Sequence, residues 1–98
     1  IKKAGHRVGE EWWQLPLVEE APEMIKSTCA DVKNSAGRPG GCITGGAFIG
    51  AFVKQGLPWA HLDIGGTSSA KKTEGHIPEG CSAFGTATLI EFAKSLQK

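Results

Sequence analysis

The chain has 98 residues, of which 40% are hydrophobic and 14 are glycine, and its formal net charge is +1. This length corresponds to one domain at most, so we expect no second domain within these residues. A net charge this close to zero argues against a protein that binds nucleic acid through a basic face. Three cysteines, at positions 29, 42 and 81, lack CxxC spacing. They therefore argue against a disulfide scaffold and favour the reducing interior of a cell.

No segment of the sequence predicts a membrane span or a secretory signal. The longest uncharged stretch, residues 39–53, is rich in glycine. It is shorter than the roughly 20 apolar residues that a spanning helix needs. The chain does not open with basic residues followed by an apolar run, so we predict no signal peptide. We expect a cytoplasmic protein, and an organelle such as the mitochondrion stays open.

The N-terminal half of the sequence predicts two helices separated by a loop. The first eleven residues show no periodic signal, and residues 12–17 alternate in a way that suits a short extended segment. Residues 18–27 predict a short helix with Pro22 in its first turn, where a missing N–H costs little. Glycine, proline and asparagine predict a loop over residues 30–41. Residues 42–53 are apolar on nearly all sides, which predicts a buried helix whose glycines allow close approach of another backbone.

The C-terminal half predicts a strand, a long loop and a helix. Residues 59–64 fit a strand, and residues 67–80 are polar and typical of a loop. Leu89, Phe92, Ala93 and Leu96 recur at helical spacing and predict a surface helix with one apolar stripe. Together these elements predict the α/β class. One or two strands do not make a sheet, so we expect the sheet to be completed elsewhere.

Five small motifs could carry chemistry, and each has a structural alternative. The glycine-rich run of residues 37–41 could cradle a phosphate at a helix N-terminus, but its spacing matches no known phosphate loop and a structural turn is favoured. His61 and Asp63 lie two apart on the predicted strand, so their side chains share a face. They could bind a metal or exchange protons, and a hydrogen-bonded pair is favoured. For the remaining motifs the structural interpretation is favoured as well. The histidines at 6 and 76 are expected on the surface. The cysteines are expected to be buried and not part of a catalytic Cys–His pair, and the tryptophans at 12 and 13 are expected to be core or interface anchors and not a binding surface.

Taken together, the segments resemble the leucyl aminopeptidase family of dinuclear metallo-exopeptidases. The similarity extends in order and spacing over about residues 9–97. It is carried by Gly9-Glu10, residues 13–17 (WQLPL), 30–34 (ADVKN), 37–44 (GRPGGCIT), 59–64 (WAHLDI), Gly66-Thr67, Gly80, Phe84-Gly85 and 88–92 (TLIEF). Several separate motifs in one register make the resemblance specific.

The resemblance implies a fold and an activity for a longer protein. Family members have a mixed β-sheet covered by helices, assemble as homohexamers, and remove N-terminal residues, typically Leu, from peptides. They use two divalent metals, zinc or manganese, and a water that bridges two such metals is a strong nucleophile near neutral pH. The resemblance places the Asp, Glu and Lys ligands upstream of the matched region. With only Asp31 and Asp63 present, this chain cannot assemble the family's three-Asp site.

One family site falls inside the matched region. The resemblance assigns Gly65 and Ser68 to the wall of the pocket that receives the side chain of the substrate's N-terminal residue. The family usually has Ala at position 65 and a larger or apolar residue at position 68, which leaves the preference for Leu open. Further departures are glycines at 45 and 46 for paired Ala, Ala83 for Gly and Ala87 for Arg.

We therefore predict that residues 1–98 form the C-terminal portion of a leucyl-aminopeptidase-like catalytic domain. The chain would supply pocket wall and packing, with no catalytic residue or metal ligand of its own, and would be inactive by itself. Its expected partners are the remainder of the aminopeptidase chain, copies of itself in a hexamer and a peptide substrate. The alternative is a non-catalytic structural or assembly subunit that retains the family fold.

Overall fold

A computed structural model describes residues 1–97 of the chain. Its elements in chain order are α1 (Lys2–Val8), α2 (Ala21–Met24), α3 (Gly41–Gly50), β1 (Ser69–Ala70), β2 (Gly80–Cys81) and α4 (Thr86–Ser95). They form two compact units. One unit contains residues 1–14 and the residues from 64 onward, and the other contains residues 15–63.

In the first unit, α1 packs against α4. The buried face of α1 consists of Ala4 and Gly5. A Cβ atom on Gly5 would overlap Cδ1 of Trp12, so only glycine fits there. The Trp12 ring also packs on Phe84, with ring centroids 4.8 Å apart. Small residues on α1 thus let the Trp12 indole fill the space beside the helix.

A cluster of polar groups forms at the N-terminus of α4. The Glu10 carboxylate accepts hydrogen bonds from the Thr88 amide at 2.9 Å and from the Thr88 hydroxyl at 2.6 Å. The Trp12 indole N–H donates to the same hydroxyl oxygen at 2.9 Å. Thr88 is completely buried, and these three bonds satisfy its side chain and its backbone donor. Because the first amides of a helix have no partner inside the helix, the Glu10 carboxylate serves as their cap.

The sheet of the structure is a small antiparallel ribbon in the same unit. β1 pairs with β2 in the register Ser69 with Cys81 and Ala70 with Gly80. A ribbon of this size is marginal by itself, so side-chain and loop contacts must help to hold it.

In the second unit, α2 packs against α3. Ala21 and Ile25 are almost fully buried. Two glycines of α3 receive side chains from outside the helix. A Cβ on Gly46 would lie 3.1 Å from Cδ2 of Leu17, and one on Gly50 would lie 2.8 Å from Cζ2 of Trp59. The predicted close approach at these glycines is made by side chains and not by another backbone.

The helices at 18–27, 42–53 and 89–96 are confirmed, with different bounds. The first is only four residues long, with Pro22 in its first turn as predicted. An N-terminal helix, α1, forms where the sequence gives no signal, because its buried face consists of small residues and not of large apolar ones.

The predicted strand at 59–64 is wrong. The predicted loop at 67–80 is confirmed for most of its length, but it contains β1 and the first residue of β2. Residues 59–64 have no assigned strand or helix. No partner strand among residues 1–97 pairs with this segment, and a strand exists only through such pairing.

Burial differs from the prediction at the most apolar positions. The helix α3 was expected to be buried, yet Ile49 is 45% exposed. The stripe on α4 is open as well, with Leu89 49% and Leu96 66% exposed, while the buried residue of α4 is Thr88. Of the two tryptophans expected to be core or interface anchors, Trp12 packs on Phe84 inside the first unit, whereas Trp13 is 89% exposed.

The structure is thus a small mixture of helices and one two-stranded antiparallel sheet, compatible with an incomplete α/β fold. Over residues 1–97, none of the helices combines the length and apolar character that crossing a bilayer requires.

Candidate functional site

Gly65 and Ser68, the two residues assigned to a substrate pocket, lie in one turn of the first unit. We call residues 64–68 the pocket turn. The carbonyl of Ile64 accepts hydrogen bonds from the amide of Thr67 at 3.0 Å and from the amide of Ser68 at 2.8 Å. Gly65 is exposed and Ser68 is half-buried. Gly65 and Ser68 therefore lie near the start and at the end of one tight, hydrogen-bonded turn.

The pocket turn is tied to Ser82, the residue that directly follows β2. The amide of Ser82 donates to the carbonyl of Ser68 at 3.0 Å. The hydroxyl of Ser82 donates to the carbonyl of Thr67, and accepts a hydrogen bond from the Phe84 amide at 3.2 Å. Nothing in the sequence pattern marks Ser82, because its role depends on contacts with a segment 15 residues away in the chain.

His61 and Asp63, the candidate proton-transfer or metal pair, both lie beside α3 in the second unit. The His61 ring lies alongside Gly45 and Gly46, 3.5 Å from where a Gly45 Cβ would stand. Asp63 interacts with Cys42 in the first turn of α3. Because residues 59–64 are not a strand, the expected shared strand face does not exist. The structure places the two side chains against different neighbours.

The three cysteines are exposed, so the prediction that they are buried is wrong. Cys29 lies in a bend after α2, Cys42 in the first turn of α3 and Cys81 in β2. At Cys42, the Asp63 carboxylate accepts a hydrogen bond from the thiol and places a negative charge beside it. Both effects raise the pKa of the Cys42 thiol above its usual value. A thiol that stays protonated is a poor nucleophile, which argues against catalysis by Cys42.

The glycine-rich run of residues 37–41 forms the turn that starts α3. Gly37 and Gly40 have positive φ values of 94° and 65°. The Gly40 carbonyl accepts hydrogen bonds from the amides of Ile43 and Thr44, each at 2.9 Å. The favoured structural turn is therefore confirmed, and a phosphate-binding role stays a prediction.

Metal ligands are sparse in the described part of the chain. Within residues 1–97, no three or more His, Cys, Asp and Glu side chains are grouped so that they could hold a metal ion. Asp31 lies in a second-unit cavity of about 530 Å³ whose lining also includes Lys33, Asn34 and the rings of Phe48 and Phe52. These residues do not fit a dinuclear centre, and no step of a metal-dependent reaction is assigned to them.

Comparison with known proteins agrees with the resemblance. Residues 1–90 match the model of the cytosol aminopeptidase family, catalytic domain. Several relatives carry the name "Probable cytosol aminopeptidase", among them the following three. The protein of Alkaliphilus metalliredigens is 47% identical over the whole chain, that of Desulfotalea psychrophila 48% over 96% of it, and that of Aquifex aeolicus 43% over 94%.

The chain therefore belongs to the cytosol aminopeptidase family. It spans only 18–19% of the length of these curated relatives. The family of peptidases is thereby established for the chain, and the match falls in its catalytic domain.

Proposed function

We propose that the chain is the C-terminal segment of a metal-dependent leucyl aminopeptidase that removes N-terminal residues from peptides. In this proposal Gly65 and Ser68 form part of the wall of the substrate side-chain pocket. The observation that carries it is the pocket turn: a short, hydrogen-bonded turn that presents these two residues, in a chain that belongs to an aminopeptidase family.

The chemistry of the pocket turn suits selection by size. Gly65 has no side chain, so it leaves more room than the Ala usual in the family. Ser68 adds a hydroxyl where the family commonly has a larger or apolar residue. Since one methylene in an apolar pocket changes selectivity by about 10- to 200-fold, these two positions would determine which N-terminal residue fits best.

The remainder of the protein would supply the reaction itself. In this proposal the two zinc or manganese ions are held upstream of residue 1 and the chain contributes packing. Exposed apolar side chains support the role in packing, because monomeric proteins rarely leave large apolar patches uncovered. They include Leu57 and Phe52 in the second unit, Leu89 and Ile90 on α4, and Leu96 directly after α4. Assembly as a homohexamer and a cytoplasmic location extend the proposal. The names of the relatives support the location.

The pocket assignment is tested by restoring the family's usual residues in the full-length protein. Gly65→Ala and Ser68→Met narrow the pocket, so we expect kcat/KM to shift from large towards small N-terminal residues. The measurement compares leucine, methionine and alanine anilides at saturating Mn²⁺ or Zn²⁺. Ser95→Ala, which removes a hydroxyl bonded to a carbonyl of α4, is the matched control. Unchanged preference in both pocket variants would contradict the assignment.

The proposal that the metal ligands lie outside this chain is tested on the chain alone. Residues 1–98, purified with Mn²⁺ or Zn²⁺, should not hydrolyse a leucine anilide, because the proposed ligands lie elsewhere. Turnover that disappears with EDTA would show that the chain carries its own metal centre and would refute this part of the proposal.

A second candidate is a non-catalytic assembly subunit that retains the family fold. The observation that favours it is the set of departures from the family pattern at residues 45, 46 and 68. The intact mass and full sequence of the native protein distinguish the two. An upstream segment with the family's acidic ligands supports the enzyme, and a segment in which they are replaced supports the subunit.

A further inference from the structure

Ser82 holds the pocket turn through both its backbone and its side chain. Its amide and its hydroxyl donate to two consecutive carbonyls, those of Ser68 and Thr67. Two adjacent peptide planes of the turn are therefore held by one residue. Inside the turn, the Ile64 carbonyl holds the amides of the same two residues, Thr67 and Ser68.

The Ser82 hydroxyl is itself held in one orientation. A hydroxyl has a single proton to donate and lone pairs to accept. Here the hydroxyl donates its hydrogen bond to the Thr67 carbonyl, and its oxygen accepts a hydrogen bond from the Phe84 amide at 3.2 Å. Phe84 in turn packs on Trp12, which bonds the buried Thr88. The hydroxyl thus links the exposed pocket turn to the most buried cluster of the first unit.

We propose that Ser82 is a positioning residue that sets the conformation of the pocket turn and thereby the side-chain preference of the enzyme. This inference rests on the proposed function of Gly65 and Ser68 as pocket wall. The ribbon alone does not explain the arrangement. β1 and β2 share only two residue pairs, and Ser82 lies beyond them. The hydrogen bond from the Ser82 hydroxyl to the Thr67 carbonyl extends the pairing one residue further into the turn.

The experiment compares Ser82→Ala and Ser82→Thr in the full-length protein, with Ser95→Ala as the control. Ser82→Ala keeps the amide bond to Ser68 and removes only the hydroxyl bonds. We expect the ratio of kcat/KM for leucine and alanine anilides to change by roughly three- to tenfold, the factor equivalent to one ordinary hydrogen bond. Ser82→Thr keeps a hydroxyl and should restore the ratio. Ser95→Ala should leave it unchanged.

A second readout is independent of the pocket assignment. Amide hydrogen exchange, followed by mass spectrometry on peptides covering residues 64–70, should be faster in Ser82→Ala than in Ser82→Thr or Ser95→Ala. Unchanged exchange and an unchanged ratio in Ser82→Ala would overturn the positioning role. So would an equal loss of activity on both anilides without a change of ratio, which indicates a general structural role.

The failure of the proposed function is distinguishable from the failure of this inference. If Gly65→Ala and Ser68→Met leave the preference unchanged while exchange in Ser82→Ala is faster, Ser82 holds the turn but the turn is not pocket wall. The effect of Ser82 on preference is then refuted together with the proposed function. If the two pocket variants change preference and Ser82→Ala does not, only the role of Ser82 is refuted.

Discussion

At the scale of single residues, the backbone conformation of Ala83 is the most unusual feature of the first unit. Ala83 has φ of 53°, the only positive value at a non-glycine residue among residues 1–97. A side chain in the left-handed region costs roughly 1 kcal/mol or more, because Cβ approaches the following carbonyl. The family resemblance places Gly at this position, which agrees with the geometry.

Ala83→Gly is therefore expected to stabilise the protein by about 0.5–1 kcal/mol. Relief of the strained φ outweighs the extra chain entropy that glycine brings to the unfolded state. Urea unfolding of the full-length protein measures the change. The control is Ala87→Gly, the same substitution in α4, where glycine should destabilise by about 1 kcal/mol. A loss of stability in both variants would argue against strain at Ala83.

At the scale of elements, α4 depends on a carboxylate from another segment. Burial raises the pKa of Glu10, but hydrogen bonds from the Thr88 hydroxyl and the amides of Thr88, Gly85 and Ala87 outweigh it, so the net pKa lies below its ordinary value of 4.5. The unfolded chain therefore binds the proton more tightly than the folded chain. The stabilisation by Glu10 is complete above pH 4.5 and is lost as pH falls through the lowered value.

Glu10→Gln should consequently destabilise the protein by about 1 kcal/mol at pH 7, the usual cost of a lost helix cap. Its stability should also decline less than that of the native protein between pH 6 and pH 3. Denaturant midpoints at several pH values measure both effects. Glu11→Gln is the matched control, because Glu11 is exposed and pairs only with the exposed His6. An equal effect of the two substitutions would show that Glu10 does not cap α4.

The second unit offers a comparison between two glycines of α3. Gly50→Ala would bring a Cβ within 2.8 Å of the Trp59 ring, so we expect a loss of about 1–3 kcal/mol from overpacking. Gly45→Ala meets only ordinary contacts with His61, the nearest at 3.5 Å, and should gain up to about 1 kcal/mol of helix propensity. Thermal unfolding of both variants checks the opposite signs. Stabilisation by Gly50→Ala would show that Trp59 does not pack there.

At the scale of the whole molecule, little apolar surface is buried. The buried hydrophobic residues among those described are Ala4, Ala21 and Ile25, while many larger ones are more than a third exposed. Burial of apolar surface is the main favourable term in folding, so the stability of this chain alone should be marginal.

We therefore expect residues 1–98, expressed alone, to bind the dye ANS strongly and to unfold with low cooperativity. The full-length protein should bind little ANS, because the remainder covers the apolar faces. The double variant Leu89→Gln, Leu96→Gln should reduce dye binding to the isolated chain, since both side chains are exposed, Leu89 on α4 and Leu96 directly after it. Equal, weak dye binding by the chain and the full-length protein would contradict the covering role.

Sequence motifs and periodicity determined which family the chain belongs to, where three helices lie and that the glycine-rich run starts α3. These properties depend on local spacing, and local spacing is what a single sequence displays. The tertiary structure alone decided that residues 59–64 form no strand, that Thr88 and not the apolar stripe is buried on α4, and that Ser82 holds the pocket turn. The physical reason is that strands, burial and clamping contacts each require a partner from a distant segment. The local sequence of one segment does not show which distant segment will pack against it.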